Sequence, residues 1–263
     1  MTAYVVVGVT AFVAAGLTLF AGFGLGTLLL PVLALFFPVE VAVAATAVVH
    51  LLNNLFKLTL IGKDAKARVV LAFGIPAAAA AMLGAWLLTM LSGLPVLLRY
   101  DLGGRQAEIT PVKLVIAALI FGFAVADLWP GASRVAFGPR LIPVGGLISG
   151  LFGGLSGHQG ALRSVFLIKA GLTKRQFVGT SATCAVLVDV SRIAVYGAGL
   201  VTGTFAAAGE GGGYALLAVG TACAFAGSFV GTRLLEKVTV ITLQRAVGTM
   251  LLVVAIALGS GWI

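Results

Sequence analysis

Apolar runs separated only by short loops dominate this chain, and they leave few folds open to it. They fall at 3–21, 26–37, 40–61, 69–91, 112–128, 141–156, 159–171, 176–198, 213–232 and 240–260. Six or seven of them approach the ~20 residues that a helix needs to cross ~30 Å of hydrocarbon. Composition closes off the alternatives. Hydrophobic residues make up 60% of the 263 and charged residues 10%, whereas a soluble domain is ~25% charged. So few charges cannot cover a globular surface. This excludes a typical soluble enzyme, a disordered protein and a nucleic-acid binder. Within hydrocarbon the backbone must satisfy its own hydrogen bonds, which a helix does inside each segment. The expected fold is all-α and polytopic, a single membrane domain with about 8–10 spans.

The net charge of +9 would suggest nucleic acid in a soluble protein. Here the cations sit in short loops, which is how membrane topology is written. Basic loops carry Lys63, Lys66 and Arg68, then Arg134 and Arg140, then Lys169, Lys174 and Arg175, then Arg233 and Lys237 beside Glu236. Counting all ten segments puts these four loops on one side, cytoplasmic by the positive-inside rule. The opposite loops hold Glu40, Glu210 and the mixed stretch 92–111, where Arg99 and Arg105 are offset by Asp101 and Glu108. Both termini are then expected outside. No Lys or Arg precedes the first apolar stretch, so that stretch is expected to stay as a span. Cys184 and Cys223 lie in apolar runs and read as reduced packing residues.

The chain also repeats itself. Val43-Ala44-Ala45-Thr46-Ala47 parallels Val178-Gly179-Thr180-Ser181-Ala182, and the same shift pairs Asn54 with Asp189 and Lys57 with Arg192. The unit holds five segments, an odd number, so two tandem copies must sit in the bilayer with opposite orientation. The predicted architecture is two inverted-topology repeats. The first covers 1–110, its fifth segment extending to about 130, and the second covers 131–263. Inverted repeats are an architecture of secondary transporters.

Two segments, 26–37 and 159–171, are too short to span, and each follows a glycine-rich break. The breaks are Gly22-Phe23-Gly24-Leu25-Gly26 and Gly153-Gly154-Leu155-Ser156-Gly157-His158-Gln159-Gly160. Irregular backbone at membrane depth survives only inside protein or beside water. The first N–H groups of a helix lack internal partners and carry partial positive charge, so two such N-termini facing one pocket make an anion site. The substrate-binding candidates are Gly24, Gly26, Thr27, Ser156, Gly157, His158, Gln159 and Gly160. Arg163, one turn on, is a candidate anion clamp. Thr180 and Ser181, like Thr46, are small polar residues expected to face the breaks. Each has a plain structural alternative. Glycines serve close helix packing, Arg163 snorkels, and a neutral His158 bonds across helices.

Polar and ionisable residues at membrane depth are functional candidates by default, which marks His50, Asn54, Asp189 and Arg192 for gating or coupling. Asp189 and Arg192 can also simply neutralise each other at i,i+3. Asn53 and Asn54 suit helix–helix contacts, and Lys57 is expected to snorkel. Other chemistries lack their signatures. Gly22–Gly26 has no βαβ context for a nucleotide. No Cys/His spacing suits a metal, and no hydrolase elbow is present. No cofactor, metal site or nucleic-acid partner is expected, and no enzyme activity.

Several segments together resemble the TauE/SafE family, the sulfite exporter and anion permease group. They are Gly22-Phe23-Gly24-Leu25-Gly26-Thr27-Leu28-Leu29-Leu30-Pro31-Val32-Leu33, Gly146 to Gly154, Gly157-His158-Gln159-Gly160-Ala161-Leu162-Arg163-Ser164, and Val178 to Ala182. The family's consecutive glycines are spaced here as Gly-x-Gly-x-Gly, His-Gln stands within the second turn, and Val165 occupies the place of a proline. The resemblance implies movement of small sulfur-containing anions, such as sulfite, thiosulfate or organosulfonates, across a bacterial inner membrane. Joined to the reading of the breaks, it implies a secondary transporter with alternating access around paired half-helix N-termini. An anion channel is the alternative. The expected partners are the anion, the bilayer and a coupling ion, H+ or Na+. Anion identity, direction of transport and oligomeric state are left open, with a homodimer as the candidate assembly.

Overall fold

A computed structural model describes residues 1–21, 25–102, 105–129, 136–201, 213–233 and 241–263. Its helices are α1 (Thr2–Ala21), α2 (Leu25–Leu33), α3 (Val39–Ile61), α4 (Ala67–Ser92), α5 (Pro111–Leu128), α6 (Ile142–Ser156), α7 (Gly160–Leu167), α8 (Lys174–Val201), α9 (Gly213–Arg233) and α10 (Ile241–Gly259). They follow the apolar segments closely. Four stretches are long and apolar enough to cross a bilayer: Val39–Asp64, Ala67–Ser92, Lys174–Gly197 and Gly213–Arg233. Local chemistry sets several ends. Thr110 caps α5, its hydroxyl accepting the Lys113 N–H at 3.3 Å with Pro111 in the first turn. Gly157 ends α6 in the left-handed conformation, φ +78°, which a side chain would strain.

Element starts keep a fixed interval. α2 and α7 begin at Leu25 and Gly160, and α3 and α8 at Val39 and Lys174. α1 and α6 end at Ala21 and Ser156. All three pairs are separated by 135 residues, the same separation as Asn54 and Asp189.

The packing does not follow chain order. α1, α2, α3 and α9 pack together, as do α4, α6, α7 and α8, while α5 pairs with α10. Each bundle thus takes three helices from one half of the sequence and its fourth from the other. The two bundles meet where α3 crosses α8.

Glycine makes the tightest of these contacts. A Cβ at Gly146, Gly150 or Gly154 of α6 would lie 2.3, 2.1 and 2.1 Å from the carbonyl oxygens of Phe73, Ala77 and Ala81 on α4. Both rows repeat every four residues, so two backbones lie against each other along one ridge. Gly84 answers from α4, where a Cβ would sit 2.1 Å from the Leu151 carbonyl oxygen. Gly227 of α9 meets the Phe12 carbonyl oxygen of α1 at 2.0 Å in the same way. For the α6 glycines helix packing is therefore the role the structure gives.

Stretch 92–111, expected as a plain loop, contains a hairpin. β1 (Leu98–Leu102) pairs antiparallel with β2 (Arg105–Ile109), Arg99 opposite Glu108. Those two side chains form an ion pair at 2.8 Å. The hairpin is tied to the far end of the described chain. Tyr100 donates its hydroxyl to the Ser260 carbonyl, and the Glu108 N–H donates to the Gly261 carbonyl at 3.3 Å.

Candidate functional site

α8 carries Asp189, Arg192 and Tyr196 at helical spacing, on one buried face. Arg192 donates Nε and Nη2 to Asp189 Oδ1 at 3.0 and 2.7 Å. Its Nη1 reaches the Gly153 carbonyl at 3.1 Å, and the Tyr196 hydroxyl donates to the Gly154 carbonyl. These carbonyls lie in the last turn of α6, and that of Gly153 also accepts the Gly157 N–H at 2.9 Å. The face therefore docks α8 onto the end of α6, directly before the break.

The break itself is built from side chains that hold one another. Ser149 donates to the Gln159 backbone carbonyl at 3.0 Å. The Gln159 side-chain amide donates to Asp189 Oδ1 at 3.1 Å, and its oxygen accepts Arg163 Nη1 at 3.3 Å. His158 donates Nδ1–H to the Ser156 carbonyl at 3.0 Å and stacks flat on Phe123, centroids 5.5 Å apart. The Ser156 hydroxyl is used within its own helix, donating to the Phe152 carbonyl at 3.0 Å.

The other bundle meets this break from across the α3–α8 crossing. His50 donates Nδ1–H to Asp189 Oδ2 at 2.6 Å. Asn54 Nδ2 donates to the same oxygen at 3.4 Å and lies 3.1 Å from the His50 ring nitrogen. Gly26, in the first turn of α2, lies against the second break. A Cβ there would be 3.0 Å from the Gly157 carbonyl oxygen and 3.5 Å from the Thr46 methyl. Thr27 is buried beside it. The glycine regions of the two halves, far apart in sequence, therefore touch.

Several polar atoms on the elements that form this junction are buried without a hydrogen-bond partner: Thr46 Oγ1, His158 Nε2, Arg163 Nε and, on α8, Ser181 Oγ. In a packed protein such groups are nearly always satisfied, so each asks for a ligand or water. The charge is also lopsided. Among the described residues Asp189 is the only buried carboxylate, whereas Lys57, Arg163 and Arg192 are buried cations. Asp189 pairs with Arg192 at 2.7 Å. The formal count of these described groups is positive, and positive charge at membrane depth is costly unless an anion or polar groups compensate it. No group of three or more His, Cys, Asp or Glu that could hold a metal occurs among the described residues.

A protein-family model described as sulfite exporter TauE/SafE matches residues 7–258. The chain belongs to the TauE/SafE family. No curated protein and no solved structure matches it. The family is one of sulfite exporters, hence of membrane transporters, which agrees with the apolar helices.

In this TauE/SafE chain the candidate residues divide by place. Gly26, Thr27, Ser156, Gly157, His158, Gln159, Gly160 and Arg163 come together with His50, Asn54, Asp189 and Arg192 around the α3–α8 crossing. Gly24 lies outside the described residues. Thr180 stands apart from this network. Its hydroxyl accepts the Lys66 N–H at 3.0 Å, so it helps seat the start of α4. The neighbouring Ser181 has the unpartnered hydroxyl instead. Lys57, expected to snorkel, is only 5% exposed, and Arg163, for which snorkelling is the alternative to an anion clamp, only 7%. Asn53 accepts from Ser228 of α9 at 2.8 Å and so holds two helices together. The sequence reading missed Ser149, Phe123 and Tyr196. Tyr196 had a signal, since it lies on the helical face of Asp189 and Arg192.

Proposed function

We propose that this protein is a secondary transporter of small sulfur oxyanions, of the sulfite, thiosulfate or organosulfonate class, working by alternating access around the two glycine breaks. The observation that carries the reading is Arg163. It is a buried guanidinium with its Nε unpartnered, one turn into a short helix whose N-cap residue offers no side-chain bond. An oxyanion held there receives a charge-assisted bond from Arg163 and backbone N–H groups from the first turn of α7. Thr46, Ser181 and His158 offer further unsatisfied atoms in the surrounding region.

The reading includes a pair of inverted five-segment repeats, with Gly26 in the first break and Gly157 to Gly160 in the second. The constant interval of 135 residues between matching helix ends supports it. So does the exchange symmetry of the packing: α1 with α9 mirrors α6 with α4, and α3 with α9 mirrors α8 with α4. In alternating access the two bundles rock about the α3–α8 crossing. The excess of Lys and Arg in the basic loops supports a cytoplasmic location for those loops and both termini outside, and the inner membrane is part of the same proposal.

Purified protein in proteoliposomes tests this. Labelled sulfite should show saturable uptake and counterflow, and the panel extends to thiosulfate, taurine and sulfoacetate. Arg163→Ala and His158→Ala should weaken binding of the transported anion by about tenfold or more, as loss of ~1.4 kcal/mol implies. Full affinity in both variants for every sulfur oxyanion would remove the site. Flux that neither saturates nor shows counterflow would make the protein a channel.

A further inference from the structure

The geometry points to the His50–Asp189 contact as the seat of a coupling proton, bound where the two bundles meet, so that this protein carries H+ together with its anion. This inference rests on the transporter reading above and specifies the ion that drives it.

The argument starts from which bonds must break. Asp189 accepts from Arg192 and Gln159, which belong to its own bundle, and from His50 and Asn54, which belong to the other. If the bundles rock, the first pair of partners travels with Asp189 and the second pair does not. Arg192 also keeps its hold on the Gly153 carbonyl, again within the bundle. The bonds of Asp189 to α3 are therefore the ones opened and remade at this crossing. At 2.6 Å, His50 Nδ1 to Asp189 Oδ2 is the shortest of them.

His50 has two states at that contact. As a neutral ring it gives Asp189 one hydrogen bond, and separation leaves Asp189 still neutralised by Arg192. As an imidazolium it pairs with the Asp189 carboxylate, which is where the extra proton is held.

The anion enters through the same network. The charged groups facing His50 are Asp189 and Arg192 of α8 and Arg163 of α7, with Lys57 further along its own helix near Arg163. Arg163 is linked to Asp189 by one residue, Gln159. With the site empty, a proton on His50 adds to an existing surplus of positive charge. With an oxyanion on Arg163, that surplus is cancelled and the proton is tolerated. Each ligand therefore favours the other, and the effect is reciprocal. The loaded carrier holds both and the empty carrier neither, which is the condition for moving them in the same direction. One proton is taken by His50 from the side open to water and released unchanged on the other side.

The test separates exchange from accumulation, with sulfite as the probe in proteoliposomes of the full chain. In the wild type an imposed pH gradient should drive sulfite accumulation. In His50→Gln, counterflow should persist within about twofold while gradient-driven accumulation falls to about the equilibrium ratio of one. Accumulation at the wild-type level in His50→Gln would overturn the inference. Absence of counterflow in the wild type strikes instead at the transporter reading itself. Should His50→Gln fail to fold, the proton is read directly in the wild type. The chain has 2 histidines, so imidazole 15N spectra contain two rings, assigned with His158→Gln. Saturating sulfite at constant pH should move the His50 ring toward its protonated form. A His50 ring unchanged by sulfite would also overturn the inference.

Discussion

Two helix contacts, one of α4 with α6 and one of α3 with α8, are made of different materials. Where α4 lies on α6, glycine removes every side chain and backbone meets backbone. Where α3 crosses α8, side chains make the middle of the contact, with His50, Asn54, Asp189 and Arg192 bridging it, while toward the end of α3 a Cβ at Gly179 would lie 2.7 Å from the Ile61 carbonyl oxygen. The first contact has a single arrangement, since any relative shift drives carbonyls into α-carbons. The second is a set of hydrogen bonds that can exchange partners. A carrier needs both kinds, one to keep each bundle rigid and one to let the bundles part. Membrane helices gain little from burying apolar surface against each other, so rigidity must come from close approach and mobility from polar contacts.

This contrast can be broken at several points. Asp189→Ala should have the largest effect, because it leaves Arg192 a buried charge with no carboxylate. Losses of this kind run to about 3–5 kcal/mol, and the variant should lose its monodisperse peak in detergent gel filtration. Next comes the seam. Gly150→Ala puts a Cβ 2.1 Å from the Ala77 carbonyl oxygen, and overpacking of this kind costs about 1–3 kcal/mol. Gly122→Ala, with nothing within 4 Å, should leave thermal unfolding unchanged or slightly raised. Equal melting of the two variants would mean the seam is not rigid. Ser149→Ala removes the donor to the Gln159 carbonyl and should cost about 1 kcal/mol, with anion affinity falling a few-fold because Gln159 positions Arg163. The smallest effect belongs outside both contacts. Arg99→Ala breaks an exposed hairpin pair worth at most about 1 kcal/mol, and anion flux should not change.

Most helix positions were legible because apolar runs and glycine or charged interruptions mark them directly. The sequence matched Asn54 with Asp189 only as equivalent positions; that the two side chains touch is what the structure adds. Other features were hidden for physical reasons. Which helix packs on which cannot be read from apolar composition, since lipid-facing and protein-facing surfaces carry the same residue types. Lys57 looked interfacial because sequence position does not show that neighbouring helices extend past it. Thr180 and Ser181 are adjacent, yet one residue turns a helix by about 100°. One hydroxyl therefore meets the Lys66 N–H while the next has no partner. The hairpin left a faint mark, Gly103-Gly104 between two short mixed stretches, a dipeptide suited to a two-residue turn. The charges around it masked the alternation.

The crosswise placement of α4 and α9 has a consequence for how such a molecule could arise. A polypeptide of half this length would have no surface of its own on which to lay its fourth helix. It would close by trading that helix with a second copy. The present chain performs that trade within one molecule, so cutting it between α5 and α6 should yield fragments that are unstable alone yet reassemble when made together.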